Sequence, residues 1–394
     1  MAKVRGICDD RFKQVEKLLQ DFIDSGDELG ASICVNVHGK DVLDIWGGYA
    51  DAAHTRPWEK DTVTCVWSSS KTVLSLATLL CIDRGLLDPY EKVSKYWPEF
   101  VANGKEKVEV RHLLSHASGL SGWQESITLE ETFDLESSTK LLEQQAPWWE
   151  PGTASGYHSF TMGHLVDGLI HRVTGKPVKQ FIAEELAGPL NADFQLGVKE
   201  QDWGRVADII PPPPPATIPE GLKNPMSIMF RTLAINPGMN AEAANEPGLR
   251  NASVPAVNGY SNARALTRLL SSISLSLSSF ALPISLSQKA IDYIFTEQQH
   301  CTDLVVCTPV RFGIGFAISS DDPIMGTLPK GRVATWGGWG GSQVVIDVDR
   351  GVTIAYVMNK MENSEPGKGD GGMGNERTEK YIGAIYEALG LGGV

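Results

Sequence analysis

The chain has 394 residues, of which 42% are hydrophobic and 21% charged, enough for a large core or two linked domains. Its net charge of −13 argues against nucleic acid, whose binding rests on Lys and Arg neutralising phosphates. No run approaches the roughly 20 apolar residues of a membrane span, the N-terminus shows no apolar h-region, and the six cysteines (Cys8, Cys34, Cys65, Cys81, Cys301, Cys307) form no CxxC, so a cytoplasmic protein with free thiols and no membrane partner is expected.

Residues 9–26 read as a first helix, with Phe12, Val15, Leu18, Leu19, Phe22 and Ile23 at helical spacing before Ser25-Gly26. Residues 31–51 read as two strands around a turn at His38-Gly39-Lys40. The segment 70–87, "SKTVLSLATLLCIDRGLL", predicts a helix ended by Arg84-Gly85 and apolar on nearly all sides, hence central and buried. Further helical stretches lie at 137–146 and 161–175. The signal weakens after residue 200. "IIPPPPPATIPEG" can be neither helix nor central strand, and 205–260 reads as an irregular Pro-rich excursion. Helix returns at 262–273; 310–319, 341–349 and 352–360 read as strands, and 376–389 as a closing helix. Strands at both ends with helices between them predict an α+β fold. Residues 1–72 and 290–394 would form an antiparallel sheet domain flanked by the first and last helices. Residues 73–289 would form a mainly helical domain, with the ligand site in the cleft between.

Several chemistries are excluded by pattern. There is no Gly-x-Ser-x-Gly elbow, no HExxH, no P-loop and no GxGxxG. His112 and His116 have i,i+4 spacing but lack the zincin glutamate, and read as packing and capping. What remains is Ser68-Ser69-Ser70-Lys71 at the mouth of the apolar helix. Ser-x-x-Lys alone is weak, since average composition yields roughly one or two by chance in such a chain. A second copy, Ser137 to Lys140, reads as a serine N-cap and an exposed lysine. The Ser68 copy differs because its helix is too apolar to be exposed. A buried Lys71 would fall from the usual lysine pKa of about 10.4 and serve as general base for a hydroxyl one turn away.

With these residues the chain resembles the serine β-lactamase and penicillin-binding-protein family, and within it the class C-related carboxylesterases (family VIII), akin to polyketide acyltransferases of the same fold. Beside Ser68-x-x-Lys71, the resemblance rests on Tyr157-His158-Ser159 after a Pro-Gly-Thr lead, on "HLLSHASGL", on "IDRGLLDPYEKVSKYWPEF", and on Trp336-Gly337-Gly338 followed by Trp339-Gly340-Gly341-Ser342. It covers roughly residues 10 to 200 and 305 to 390. A rival second motif, Tyr260-Ser261-Asn262, opens a helix where Ser and Asn are ordinary caps.

The resemblance implies Ser68 as nucleophile, Lys71 as base, and Tyr157 as phenolate or proton relay. It also implies backbone N–H groups of Ser68 and Trp339 at the oxyanion, and Ser159 shaping the hydrogen bonds around Lys71. In the third motif a lysine would anchor a substrate carboxylate, and here Trp336 stands in its place; the second Trp-Gly-Gly is the alternative alignment. A neutral indole favours a small ester substrate, apolar or aromatic. No metal or organic cofactor is implied. An acyltransferase, a β-lactamase or D-alanyl peptidase, and an inactive binding protein of the same fold are the alternatives.

Overall fold

In a computed structural model of the chain, the described residues are 3–215, 217–278, 282–319, 328–363 and 374–391. Nine strands form one antiparallel sheet: β1 (Arg5–Cys8), β2 (Gly30–Val37), β3 (Lys40–Gly48), then β7 (Gln299–Thr302), β8 (Pro309–Phe312), β9 (Ala317–Ile318), β10 (Val333–Gly337), β11 (Gln343–Asp347) and β12 (Val352–Met358). Their order is β1-β3-β2-β12-β11-β10-β9-β8-β7, so the two ends of the chain meet where β2 pairs with β12. His38 and Gly39 close the β2–β3 hairpin, both at positive φ (49° and 85°), which fits the twist of the strands they join. A separate small sheet joins β4 (Thr64–Cys65), β5 (Gln195–Leu196) and β6 (Gly259–Ser261) in the order β4-β6-β5. The α+β architecture read from the sequence is the one seen.

The main sheet is covered on both faces. On one face lie the helices Lys13–Ser25 and Glu376–Ala388, which touch each other. There the ring of Tyr356 meets that of Tyr381 at 4.9 Å. On the other face lies the helix Ala263–Ser274, whose Ser274 Oγ is 2.7 Å from Thr353 Oγ1. The proposed division at residue 289 assigns this helix to the helical lobe, yet it lies against β2 and β12. Behind it runs the helix Ser70–Asp83, buried from Ser70 to Ile82, as its apolar composition predicts.

Some elements depart from the sequence reading. The strand read at 310–319 is two strands broken at Gly313 to Gly315. A side chain at Gly313 would run into the Ile294 carbonyl, and Gly315 has φ of 85°. The edge strands β1 and β7 and the small sheet carry no alternating apolar pattern and are unforeseen. Among the described residues, the 205–260 region holds short helices, such as Ile228–Leu233 and Pro247–Asn251, and runs into β6 at its end. All six cysteines are free. No helix among the described residues is long and apolar enough to cross a membrane.

A buried ion pair ties the two ends of the chain together under the sheet. Arg377 Nη1 donates to Glu28 Oε1 at 2.9 Å, and the Tyr356 hydroxyl donates to Glu28 Oε2 at 2.6 Å. Burial pushes the Glu28 pKa up, against the pull of Arg377. Removing one member leaves an uncompensated buried charge, so Glu28→Ala is expected to cost about 3–5 kcal/mol, read as a lower urea midpoint at unchanged m-value.

Candidate active site

The three consecutive serines do three different jobs. The turn Trp67–Ser69 precedes the helix that starts at Ser70, and Trp67 enters it at φ of 48°. Ser69 Oγ lies 3.1 Å from Ser342 Oγ and ties the turn to the end of β11. Ser70 Oγ accepts from the Gly259 N–H at 2.8 Å and donates to the Trp67 carbonyl, tying it to β6. Ser68 is left pointing between Lys71 and Tyr157.

Lys71 is 1% exposed. Its Nζ lies 2.7 Å from the Ser159 carbonyl oxygen, 3.0 Å from the Ala256 carbonyl oxygen and 3.0 Å from Ser68 Oγ. No carboxylate is among these partners, and burial alone holds its pKa well below the usual lysine range. The neutral form suits this geometry. As a neutral amine it would give its two N–H bonds to the two carbonyls and turn its lone pair to the Ser68 hydroxyl.

The Tyr157 hydroxyl donates to the same Ser68 oxygen at 2.6 Å. Burial pushes its pKa up, against the hydrogen bond to Ser68. The Trp336 indole N–H also pulls it down, although Nε1 makes no hydrogen bond of normal geometry. Of the two forms named in the sequence reading, the raised pKa favours the protonated phenol, the form that donates to Ser68.

Segment 115–120 is the cradle of this tyrosine. His116 Nδ1 accepts from the His158 backbone N–H at 3.1 Å, and the Gly156 N–H donates to the His116 carbonyl at 2.9 Å. His158 Nδ1 donates to the Gly156 carbonyl at 2.5 Å, which leaves Nε2 to accept from the Ser118 hydroxyl at 2.7 Å. Burial pushes His158 down to about 4 and His116 well below its usual range, so both imidazoles are neutral. Both rings are used in holding the loop. His112 closes a capping box with Glu109, as its spacing indicated.

The third motif ends β10 and turns towards Ser68. Gly337 pairs with Gln343. The Gly338 N–H donates to the Ser342 carbonyl at 2.7 Å, and the Gly341 N–H donates to the Gly338 carbonyl at 3.0 Å. A side chain at Gly338 would run into the Val66 carbonyl and Ser342 Oγ. Trp339 sits at the tip of this turn, 38% exposed, its ring against Trp67 at 5.2 Å. Asn375 Nδ2 donates to the Gly340 carbonyl at 3.0 Å and Thr378 Oγ1 to the Gly341 carbonyl at 2.8 Å, so the cap of the closing helix holds the turn from behind.

A family model described as Beta-lactamase matches residues 15–372. The chain belongs to the beta-lactamase family. The match runs through 200–300, which the motif resemblance left aside. Among curated relatives, Esterase/beta-lactamase LipL of Mycobacterium tuberculosis is 32% identical over 368 residues, covering 91% of this chain and 83% of LipL. Among solved structures, a family VIII carboxylesterase superposes with a TM-score of 0.88 at 30% identity, over 98% of this chain and 100% of that one. Simvastatin synthase LovD of Aspergillus terreus, at 18% identity and a TM-score of 0.67 over 96% and 98% of the two chains, shows the shared fold alone.

Within this family framework the predicted residues sort clearly. Ser68, Lys71, Tyr157 and the Ser159 carbonyl converge. Ser159 contributes its backbone oxygen to Lys71, and its hydroxyl takes no part in that bond. Trp336 is 4% exposed, packed on Tyr157, His116 and Phe312 at 5.3–5.6 Å between ring centroids; it backs the tyrosine, and the outward indole of the doublet is Trp339. Trp123 is core, bonded to the Ser138 carbonyl. In the decoy motif Asp134 is the N-cap, receiving the Ser137 N–H, so the cap is not a serine, and Lys140 is exposed. Tyr260 is buried in β6 with its hydroxyl on the Ala244 carbonyl, away from Ser68. Ser118, His158, Asp303 and Asn375 went unread as site supports. The "HLLSHASGL" signature contains the first of them and the Tyr157-His158-Ser159 motif the second, but neither was read as holding the tyrosine loop.

A fluorophosphonate probe should label Ser68, seen by peptide mass spectrometry. Ser68→Ala should abolish labelling, and Ser137→Ala should leave it unchanged.

Proposed function

We propose that this protein is a serine carboxylesterase working through an acyl-enzyme on Ser68. The observation that carries the reading is one serine oxygen held 3.0 Å from an amine without a counter-ion and 2.6 Å from a tyrosine hydroxyl. Lys71 takes the Ser68 proton as its oxygen forms the bond to the ester carbonyl carbon. The N–H groups of Ser68 and Trp339 face the developing oxyanion. The ammonium formed at Lys71 is the proton source, and Tyr157 passes a proton to the departing alkoxide. Water then attacks the acyl-enzyme by the reverse proton path and frees the acid. The likeness to LipL and to a family VIII carboxylesterase supports an ester substrate.

The third motif brings no cation, and Trp339 offers apolar surface at the mouth. Neutral, apolar or aromatic esters should therefore be preferred over carboxylate-bearing β-lactams. An absent charge-assisted partner is worth roughly 1.5–3 kcal/mol, or about tenfold to hundredfold in relative kcat/KM. The test compares p-nitrophenyl butyrate with nitrocefin. Equal rates would replace the esterase reading with a β-lactamase. Ester product in place of acid on adding an alcohol would mark an acyltransferase. Absence of an acyl adduct on Ser68 would leave a binding protein.

The pH profile follows from the two perturbed groups. Lys71 must be neutral to act, and burial lowers its pKa, so kcat/KM should rise through that depressed value and not near the usual lysine range. Tyr157 must keep its proton, and burial raises its pKa, so the alkaline loss should come late. A broad plateau reaching into alkaline pH is expected from stopped-flow or steady-state profiles. A rise only above about pH 10 would show that Lys71 is charged at rest.

A further inference from the structure

Asp303 lies outside every motif of the sequence and is 1% exposed. Its carboxylate accepts only from neutral donors. Oδ1 takes the backbone N–H groups of Tyr157 at 3.1 Å, Val305 at 2.8 Å and Val306 at 3.0 Å, and Oδ2 takes the Ser155 hydroxyl at 2.6 Å. The turn that carries it closes on itself, with Asp303 N–H on the Thr308 carbonyl at 2.9 Å and Cys307 N–H on the Asp303 carbonyl at 3.0 Å. Leu304 N–H adds a bond to the Ser155 carbonyl at 2.8 Å. Loop 155–157 is thus hung by three bonds on a turn just before β8, while His116 and Ser118 hold it from the other side.

A buried carboxylate without a cation is costly, and a plain loop contact does not need one. What this one fixes is the peptide N–H of the residue whose phenol must meet Ser68 at 2.6 Å. We infer that Asp303 is a positioning residue for the reaction: it holds the Tyr157 backbone so that the phenol O–H reaches the Ser68 oxygen. The inference rests on the proposed role of Tyr157. Four donors need four acceptor sites, which a carboxylate supplies. An asparagine keeps an oxygen acceptor for the backbone N–H groups, that of Tyr157 among them, and loses the acceptor for Ser155.

The test is a double-mutant cycle on p-nitrophenyl butyrate, with folding checked by circular dichroism and melting temperature. Asp303→Ala should lower kcat by about a hundredfold, the scale of a roughly 1 Å misplacement, with KM within about threefold. Asp303→Asn should restore most of it. In the Tyr157→Phe background, Asp303→Ala should remove less than about threefold more. An equal factor in both backgrounds, or parent kcat in Asp303→Ala, would overturn the positioning role. Parent kcat in Tyr157→Phe alone would instead overturn the proton path. If Asp303→Ala does not fold, Asp303→Ser carries the same cycle, with Asp303→Asn kept as the rescue arm.

Discussion

The site depends on an amine that has been taken out of water and given no anion. Lys71 Nζ is met by two carbonyl oxygens and one hydroxyl. A carboxylate within reach would keep it an ammonium, and an ammonium is no base. Carbonyl dipoles can satisfy two N–H bonds without fixing the third proton. The remaining parts follow from supplying those dipoles. Ser159 comes from the loop after the Pro-Gly-Thr lead, Ala256 from the end of the Pro-rich excursion, and Ser68 from the turn one step before the helix. Three distant stretches must close around one nitrogen. The segment between 200 and 260, which looks featureless in sequence, is needed because it ends in one of the two carbonyls.

The cradle around Tyr157 meets the complementary need. In the proposed reaction the phenol pressed against the same oxygen must keep its proton, and a loop is a poor place to hold it. The structure answers with neutral imidazoles and a buried carboxylate bonded to the backbone, so that rigidity comes from the peptide groups and not from the tyrosine side chain. Trp336 then fills the space behind the ring. This aromatic wall packs against the ring, while its hydroxyl meets Ser68 Oγ.

What could be read from the chain was what is local. Ser68 and Lys71 sit three residues apart at the mouth of a helix that is apolar on nearly all sides, so burial of the lysine followed from composition. Tyr157 was marked by its lead, and the hairpin at His38-Gly39 by its turn residues. What could not be read was tertiary pairing. The bond from Asp303 to the Tyr157 N–H spans distant segments and leaves no spacing to find. The same is true of Asn375 on the Gly340 carbonyl. The two tryptophans of the doublet show a further limit. All five residues of β10 are buried, because the sheet is covered on both faces, so alternation does not reveal which indole points outward. Only the turn geometry after Gly338 separates Trp339 from Trp336.

The pairing of β2 with β12 also governs how the molecule can be made. Ile33 faces Tyr356 at the centre of the sheet, so a strand synthesised early waits for one synthesised near the end. Until then the β2–β3 hairpin presents an open edge whose residues are nearly all buried in the finished protein. Such high contact order makes assembly slow and leaves the nascent chain open to edge-to-edge association. The turn bearing Trp339 arrives in the same late step, between β10 and β11. In the proposed mechanism Ser68 therefore gains its Trp339 neighbour only when the sheet closes. On that mechanism, completion of folding and onset of reactivity coincide.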